Sequence, residues 1–324
     1  MAILVGIDEA GYGPLLGPLV VSSAVFRMGD ELLRADLWDV LQKAVSPQKR
    51  GSAGRVLITD SKKAYSRSSG IKHLRRTVHA CLGATCDRQD QPIHTAAQLI
   101  QELCPDCAGR ITEYPWYNAL NEHILEQQPD EIQIASGVLK RTMAENDIHL
   151  VGIHSKCLDV AFYNNRVAAV KNKSRVLFTA LCSLILDVIN TTPANDMIQI
   201  IVDRQGGRVN YQQELLRMFP GFSLSVIRQD EKMSSYELIT SNRTIRVHFC
   251  VKADSKYLPV CLASMASKYL REVLMESLNN FFSQRCKELK PTAGYWQDGQ
   301  RFIKDIESTI PSLSINYERL VRNL

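Results

Sequence analysis

Four carboxylates stand where expected strands run out. Residues 3–7 read as an apolar strand that ends on Asp8-Glu9. Residues 197–202 read as a second strand ending on Asp203, and residues 244–251 as a third leading into Ala253-Asp254. In open α/β sheets, ligands collect at such strand ends. Carboxylates held together repel one another and stay ionised only with positive charge among them, which a divalent cation supplies. Asp8, Glu9, Asp203 and Asp254 therefore read as a site for two divalent ions, of the kind that activates water and stabilises a leaving oxygen in phosphoryl chemistry. Hard oxygen donors favour Mg²⁺ or Mn²⁺ over zinc. Neighbouring strand residues point to opposite faces, so Asp8 and Glu9 are expected to share one centre only if the chain bends at them. Gly11 and Gly13 allow that bend and a close approach of backbone to ligand. The competing reading is an acidic turn in solvent. Against it, a carboxylate at one strand end is commonplace, whereas four distributed over three strand ends are not.

The elements that must position these acids alternate. Residues 19–26 read as the hairpin partner of the first strand, residues 31–44 as a helix and 45–54 as a basic loop. A short strand over 56–59 ends at Asp60-Ser61-Lys62-Lys63, followed by a helix from about 69 to 82. Further strands are expected at 151–155 and 223–227, and helices at 174–189, 211–218 and 260–287. Strands alternating with helices, opened by a hairpin, specify an α/β domain with a mixed sheet flanked by helices. Residues 1–290 form that domain, with an insertion or small lobe at about 83–150, and 291–324 form a C-terminal helical extension. Gly11, Gly13 and Gly17 do not make G-x-G-x-x-G, and Pro14 and Pro18 interrupt the helix such a motif needs, which argues against dinucleotide binding of that kind.

Composition is consistent with this. The 324 residues are 45% hydrophobic, ordinary for a folded soluble chain. No apolar run reaches bilayer length and no secretory signal opens the chain. Nine irregularly spaced cysteines, an odd number, fit reduced thiols in a cytoplasmic protein. A net charge of +5 permits a polyanionic partner. A monomer is expected.

The four acidic blocks, taken in order, resemble type 2 ribonuclease H enzymes. Residues 6–20 are similar to the family's opening strand, Asp-Glu pair and Gly-x-Gly loop. Asp60-Ser61-Lys62-Lys63 matches its Asp-Ser-Lys-Lys block, Ile200-Ile201-Val202-Asp203 the strand with the third acid, and Ala253-Asp254-Ser255-Lys256 through Lys268 the fourth acid and following helix. The resemblance covers most of the chain outside 83–150. It implies a ribonuclease H-like fold, endonucleolytic cleavage of RNA paired to DNA, and Asp8, Glu9, Asp203 and Asp254 as catalytic metal ligands. It also implies main-chain contacts from Gly11, Tyr12 and Gly13 to the ribose 2′-hydroxyl, which distinguishes RNA from DNA, and phosphate contacts from Ser61 and Lys62. Tyr295 is the nearest counterpart of a C-terminal tyrosine that packs on the nucleic acid.

The chain departs from the pattern at two places. Tyr12 stands where the family carries arginine, and Arg204-Gln205 delays the glycine expected directly after the third acid. Two other readings keep the same residues: a hybrid-binding protein without turnover, and a related nuclease cutting DNA junctions. The basic residues Lys62, Lys63, Arg67, Lys72, Arg75 and Arg76 favour backbone binding, while Lys171, Lys173 and Arg175 read as a solvated loop. Cys81, Cys86, Cys104 and Cys107 have some zinc-like spacing, but buried thiols are the favoured reading. Trp116 and Tyr117 read as packing residues.

Overall fold

The computed structural model describes residues 1–49, 54–65, 70–85, 92–125, 128–313 and 315–323. Seven strands form one mixed sheet: β1 (Ala2–Ala10), β2 (Leu19–Met28), β3 (His149–Leu158), β4 (Met197–Asp203), β5 (Ser223–Gln229), β6 (Met233–Thr240) and β7 (Arg243–Cys250). Their spatial order is β3-β2-β1-β4-β7-β6-β5. β1 pairs antiparallel with β2 and parallel with β4, which in turn pairs parallel with β7. The three parallel strands are those that lead to the acids, so their carboxyl ends lie side by side at one edge of the sheet.

Helices cover both faces. On one face lie α1 (Lys72–Gly83), α2 (Ala96–Leu103), α3 (Pro129–Glu145) and the long α6 (Leu258–Ser283), packed on Leu4, Val20, Ala24 and Phe26. On the other lie α4 (Val160–Val170) and α5 (Lys173–Thr191), packed on Ile3, Val5, Ile7 and Val21. The odd-even split along β1 is the period of a strand buried on both sides. Gly6 faces α6, and a Cβ there would lie 2.1 Å from the Pro259 carbonyl carbon, so glycine is what lets the helix start lie directly on the strand.

Several expectations need correction. Residues 31–44 are not one helix but a 3-10 turn (Asp30–Arg34) and a short helix (Leu37–Val40), because Ala35 is extended and Asp36 caps a fresh start. β6 went unread because its polar residues Ser234, Ser235 and Glu237 broke the apolar signal. α5 spans 19 residues at mean hydropathy 1.4, so a run apolar enough for a bilayer does exist. It buries Leu177, Phe178, Leu181 and Ile185 in the sheet core, as a core helix does. Apart from these three corrections, Leu99, Trp116 and Leu139 of residues 83–150 share an apolar cluster with α6, as do Phe302, Ile306 and Leu320 near the C-terminus. Trp116 is buried against Phe281 and Phe282, and the buried Tyr117 packs on Trp116, in keeping with their reading as packing residues.

Candidate active site

The strand β1 does not bend at its acids. Asp8 and Glu9 stay in register with Ser22 and Val21 of β2, and the turn comes at Gly11, whose φ is +87°. A side chain at Gly11 would strike the Arg271 side chain and the Pro18 carbonyl. Asp8 points toward α6, as its even position on β1 requires. Its backbone carbonyl accepts from the Ser267 hydroxyl at 3.0 Å, and its carboxylate accepts from the Glu9 N–H at 2.8 Å, with the Ser264 side chain close enough to oppose the rise of its pKa. Asp203 closes β4, one position past the Ile7–Val202 pair. Its Oδ1 accepts from the Ala253 N–H at 2.7 Å. That bond ties it to the 3-10 turn Ala253–Ser255 that carries Asp254, a turn entered through Lys252 in the left-handed region.

The charges act on one another. Burial raises the Asp8 carboxyl well above its usual range, and Glu9 and Asp203 push it further. Burial and then Asp203 drive Glu9 up to about 7. Asp203 is raised to about 6 by burial and by Asp254, against the Ala253 N–H, which lowers it. Asp254 is raised by burial and by Asp60. Lys62 opposes the rise at Glu9, Asp203 and Asp254 alike, so it sits within reach of the acids as their local cation. Asp60, which the sequence reading assigned to a phosphate-contact block, therefore belongs to the acidic field; its side chain also caps the short helix Ser61–Ala64. Beneath them, the buried Cys261 thiol feels Asp254, Asp60 and Asp8 together.

Ser61 is only 7% exposed and accepts a hydrogen bond from Ser264 at 3.0 Å. Lys62 is exposed. Arg76 is removed from the basic surface: it binds Glu131 at 2.6 Å and the carbonyls of Gly54 and Arg55. Arg67 lies outside the described residues. Lys173, read as part of a solvated loop, instead lies 5.6 Å from the Tyr12 ring.

The glycine loop is held by two buried arginines, Arg271 and Arg322, that no motif marks. Arg322 donates to the carbonyl oxygens of Gly11 and Tyr12, and its guanidinium stacks 4.1 Å above the Tyr163 ring. In a trans peptide the N–H opposes the C=O, so this grip turns the N–H groups of Tyr12 and Gly13 away from Arg322. Arg271, 1% exposed, donates to the carbonyls of Leu16 and Ala293. It also lies 6.0 Å from the ring of Tyr295, which is 53% exposed beside the loop. Trp296, next to it, is equally exposed and was not foreseen. Tyr12, in place of arginine, is half-buried with Arg322 and Arg208 acting on its hydroxyl, so positive charge persists there without residue 12 supplying it. After Asp203, Arg204 is buried and binds the carbonyls of Asp230 and Glu231, which anchors the departing turn without an immediate glycine.

Among the described residues, no three Asp, Glu, His or Cys side chains already stand together as a metal-ligand group. Oδ1 of Asp8 and Oδ1 of Asp203 each accept from a backbone N–H. The donor set fits a hard divalent cation in its chemistry: all oxygen, partly desolvated, and raised in pKa by burial and then by one another.

No protein-family model and no curated protein matches the chain. Solved structures do. An RNase HII from Archaeoglobus fulgidus, determined in a complex with PCNA, shares 17% identity over 99% of this chain and 93% of its own, at a TM-score of 0.41. A Bst-RNase HIII in complex with Mn²⁺ shares 15% over 100% of this chain and 66% of its own, at 0.41. A ribonuclease H2 from Pyrococcus horikoshii shares 16% over 98% and 92%, at 0.41. This chain is similar to ribonucleases H of that type.

Proposed function

We propose that the protein is a divalent-cation-dependent endonuclease that hydrolyses the RNA strand of RNA–DNA hybrids. The observation that carries this reading is the linked electrostatics of Asp8, Glu9, Asp203 and Asp254, at or just beyond the ends of three adjacent parallel strands, with Lys62 acting on Glu9, Asp203 and Asp254. Asp8, Glu9, Asp203 and Asp254 would hold two Mg²⁺ or Mn²⁺ ions, which supply a water of lowered pKa and neutralise charge on the leaving oxygen. The chain's own groups do the rest. Ser264 and Ser267 fix Asp8 from α6, and the Ala253 N–H fixes Asp203. The N–H groups of Tyr12 and Gly13, directed away from Arg322, would read a ribose 2′-hydroxyl. Lys62 meets the scissile region's negative charge, and exposed Tyr295 offers a ring for packing on the nucleic acid. Cleavage would leave 5′-phosphate and 3′-hydroxyl ends.

The test is cleavage of an end-labelled hybrid, and of a DNA duplex holding one ribonucleotide, with Mg²⁺ and with Mn²⁺. Asp8→Asn serves as the control. Cation-dependent cuts at ribonucleotides, lost in the variant, support the proposal. Hybrid binding without cleavage would make the protein a non-catalytic binder. Equal cleavage of all-DNA junctions would make it a nuclease of another specificity.

A further inference from the structure

Three sulfurs meet beside the edge strand β3. Cys104 caps the C-terminus of α2, and Cys107 ends the 3-10 turn Pro105–Cys107 that follows. The Cys107 N–H donates to the Cys104 carbonyl at 3.1 Å. Such a closed turn keeps its end Cα atoms within about 7 Å, the span a disulfide bridges. The two Sγ atoms are 3.2 Å apart. Cys157, from β3, hydrogen-bonds its sulfur to Cys107. All three line a cavity of about 370 Å³, together with Arg110, Lys156 and Phe162.

We infer that Cys104 and Cys107 are a peroxide-sensitive dithiol, oxidised to a single disulfide through this cavity with Cys107 as the attacking sulfur. The deprotonated Cys107 sulfur attacks one peroxide oxygen; the S–O bond forms, the O–O bond breaks, and the departing hydroxide is protonated to water. The Cys104 sulfur then attacks Cys107, forming S–S and breaking S–O. The second hydroxide leaves with the Cys104 proton as water. Two thiols lose two electrons and one peroxide gains them. Cys107 is favoured as the first sulfur: the adjoining Cys104 and Cys157 side chains, then the nearby Arg110 guanidinium, hold its thiol below the usual range, with burial and Asp159 opposing, and in the reduced pair its S–H donates to the Cys104 carbonyl and sulfur. Cys81 and Cys261 are internal controls, since burial pushes Cys81 up to about 12 and raises Cys261 as well. Nothing in this inference depends on the nuclease reading.

The test uses the full chain in its reduced form. It is exposed to hydrogen peroxide, quenched, unfolded, alkylated with N-ethylmaleimide and mapped by mass spectrometry. Two alkylatable thiols should be lost, both from Cys104 and Cys107, at least about tenfold faster than Cys81 or Cys261, and dithiothreitol should restore them. Cys107→Ser should leave Cys104 alkylatable. Oxidation of the pair no faster than that of Cys81, or a disulfide joining either residue to a different partner, overturns the inference. The wild-type map alone decides it if the variant does not fold.

Discussion

Asp8, Glu9 and Asp203 each hold a proton more tightly in the folded chain than a free carboxyl does, and burial is the first cause in all three. A folded pKa raised above the unfolded one means that the folded state binds more protons between the two values, so stability falls as pH rises through that window. For Glu9, driven up to about 7, and Asp203, driven to about 6, the window runs from about pH 4 to pH 7. The cation-free protein should therefore lose several kcal/mol across it, at about 1.4 kcal/mol per unit of raised pKa, seen as a falling urea midpoint. Glu9→Gln should flatten that slope, and Mg²⁺ should stabilise the protein more at pH 8 than at pH 5. An unchanged midpoint from pH 5 to pH 8 would contradict the electrostatics described. Asp203→Asn should lower hybrid cleavage at least about a hundredfold, the order expected when a group stabilising transition-state charge is removed. In the absence of cations at pH 8 it should leave the fold as stable or more so, which separates loss of function from loss of structure.

The long helix α6 rests on β1 at Gly6 and reaches the site through Ser264 and Ser267. Gly6→Ala would drive a Cβ into the Pro259 backbone, and its cost should be about 1–3 kcal/mol or more. That loss, read from chemical unfolding, should be accompanied by weaker cleavage, because Ser264 and Ser267 move with the helix. The strands that end on the acids were legible because each is an apolar run bounded by charge, and so was α6, where apolar residues continue for many turns. The straight passage of β1 through Asp8 and Glu9 was not legible, because pairing with β2 holds those residues against what their polarity suggests. The short elements over residues 30–40 were hidden for a different reason: the break at Ala35 is a backbone angle, with no proline or glycine to mark it. Tertiary partners were the least visible. Arg271 and Arg322 read as ordinary cations until the fold places their guanidinium groups on loop carbonyls some 255 and 311 residues away in the chain. Asp60 likewise joins the acids only through folding.

The C-terminal segment returns across the whole molecule to finish the site. Val321 bridges to Leu16, Asn164 binds the carbonyls of Glu318 and Val321, and Arg322 grips the glycine loop. Arg322→Met should cost about 1–3 kcal/mol, since charge-assisted bonds to buried carbonyls are lost. It should weaken hybrid binding more than binding to all-DNA duplex, a difference readable by fluorescence anisotropy; equal weakening would deny the loop its part in reading ribose. The net charge of +5 and the exposed Lys62 and Lys63 also predict a salt-dependent affinity for hybrid. Lys62→Ala should reduce the slope of log affinity against log salt by about one. The most direct measurement for the whole account is Mn²⁺ binding to the cation-free protein by titration calorimetry. Binding of Mn²⁺ by the wild type, abolished by Asp8→Asn and again by Asp203→Asn in proteins that remain folded, is the predicted result. Wild-type protein that takes up no Mn²⁺, or variants that bind it as the wild type does, would contradict a shared cation site built from the ends of β1, β4 and β7.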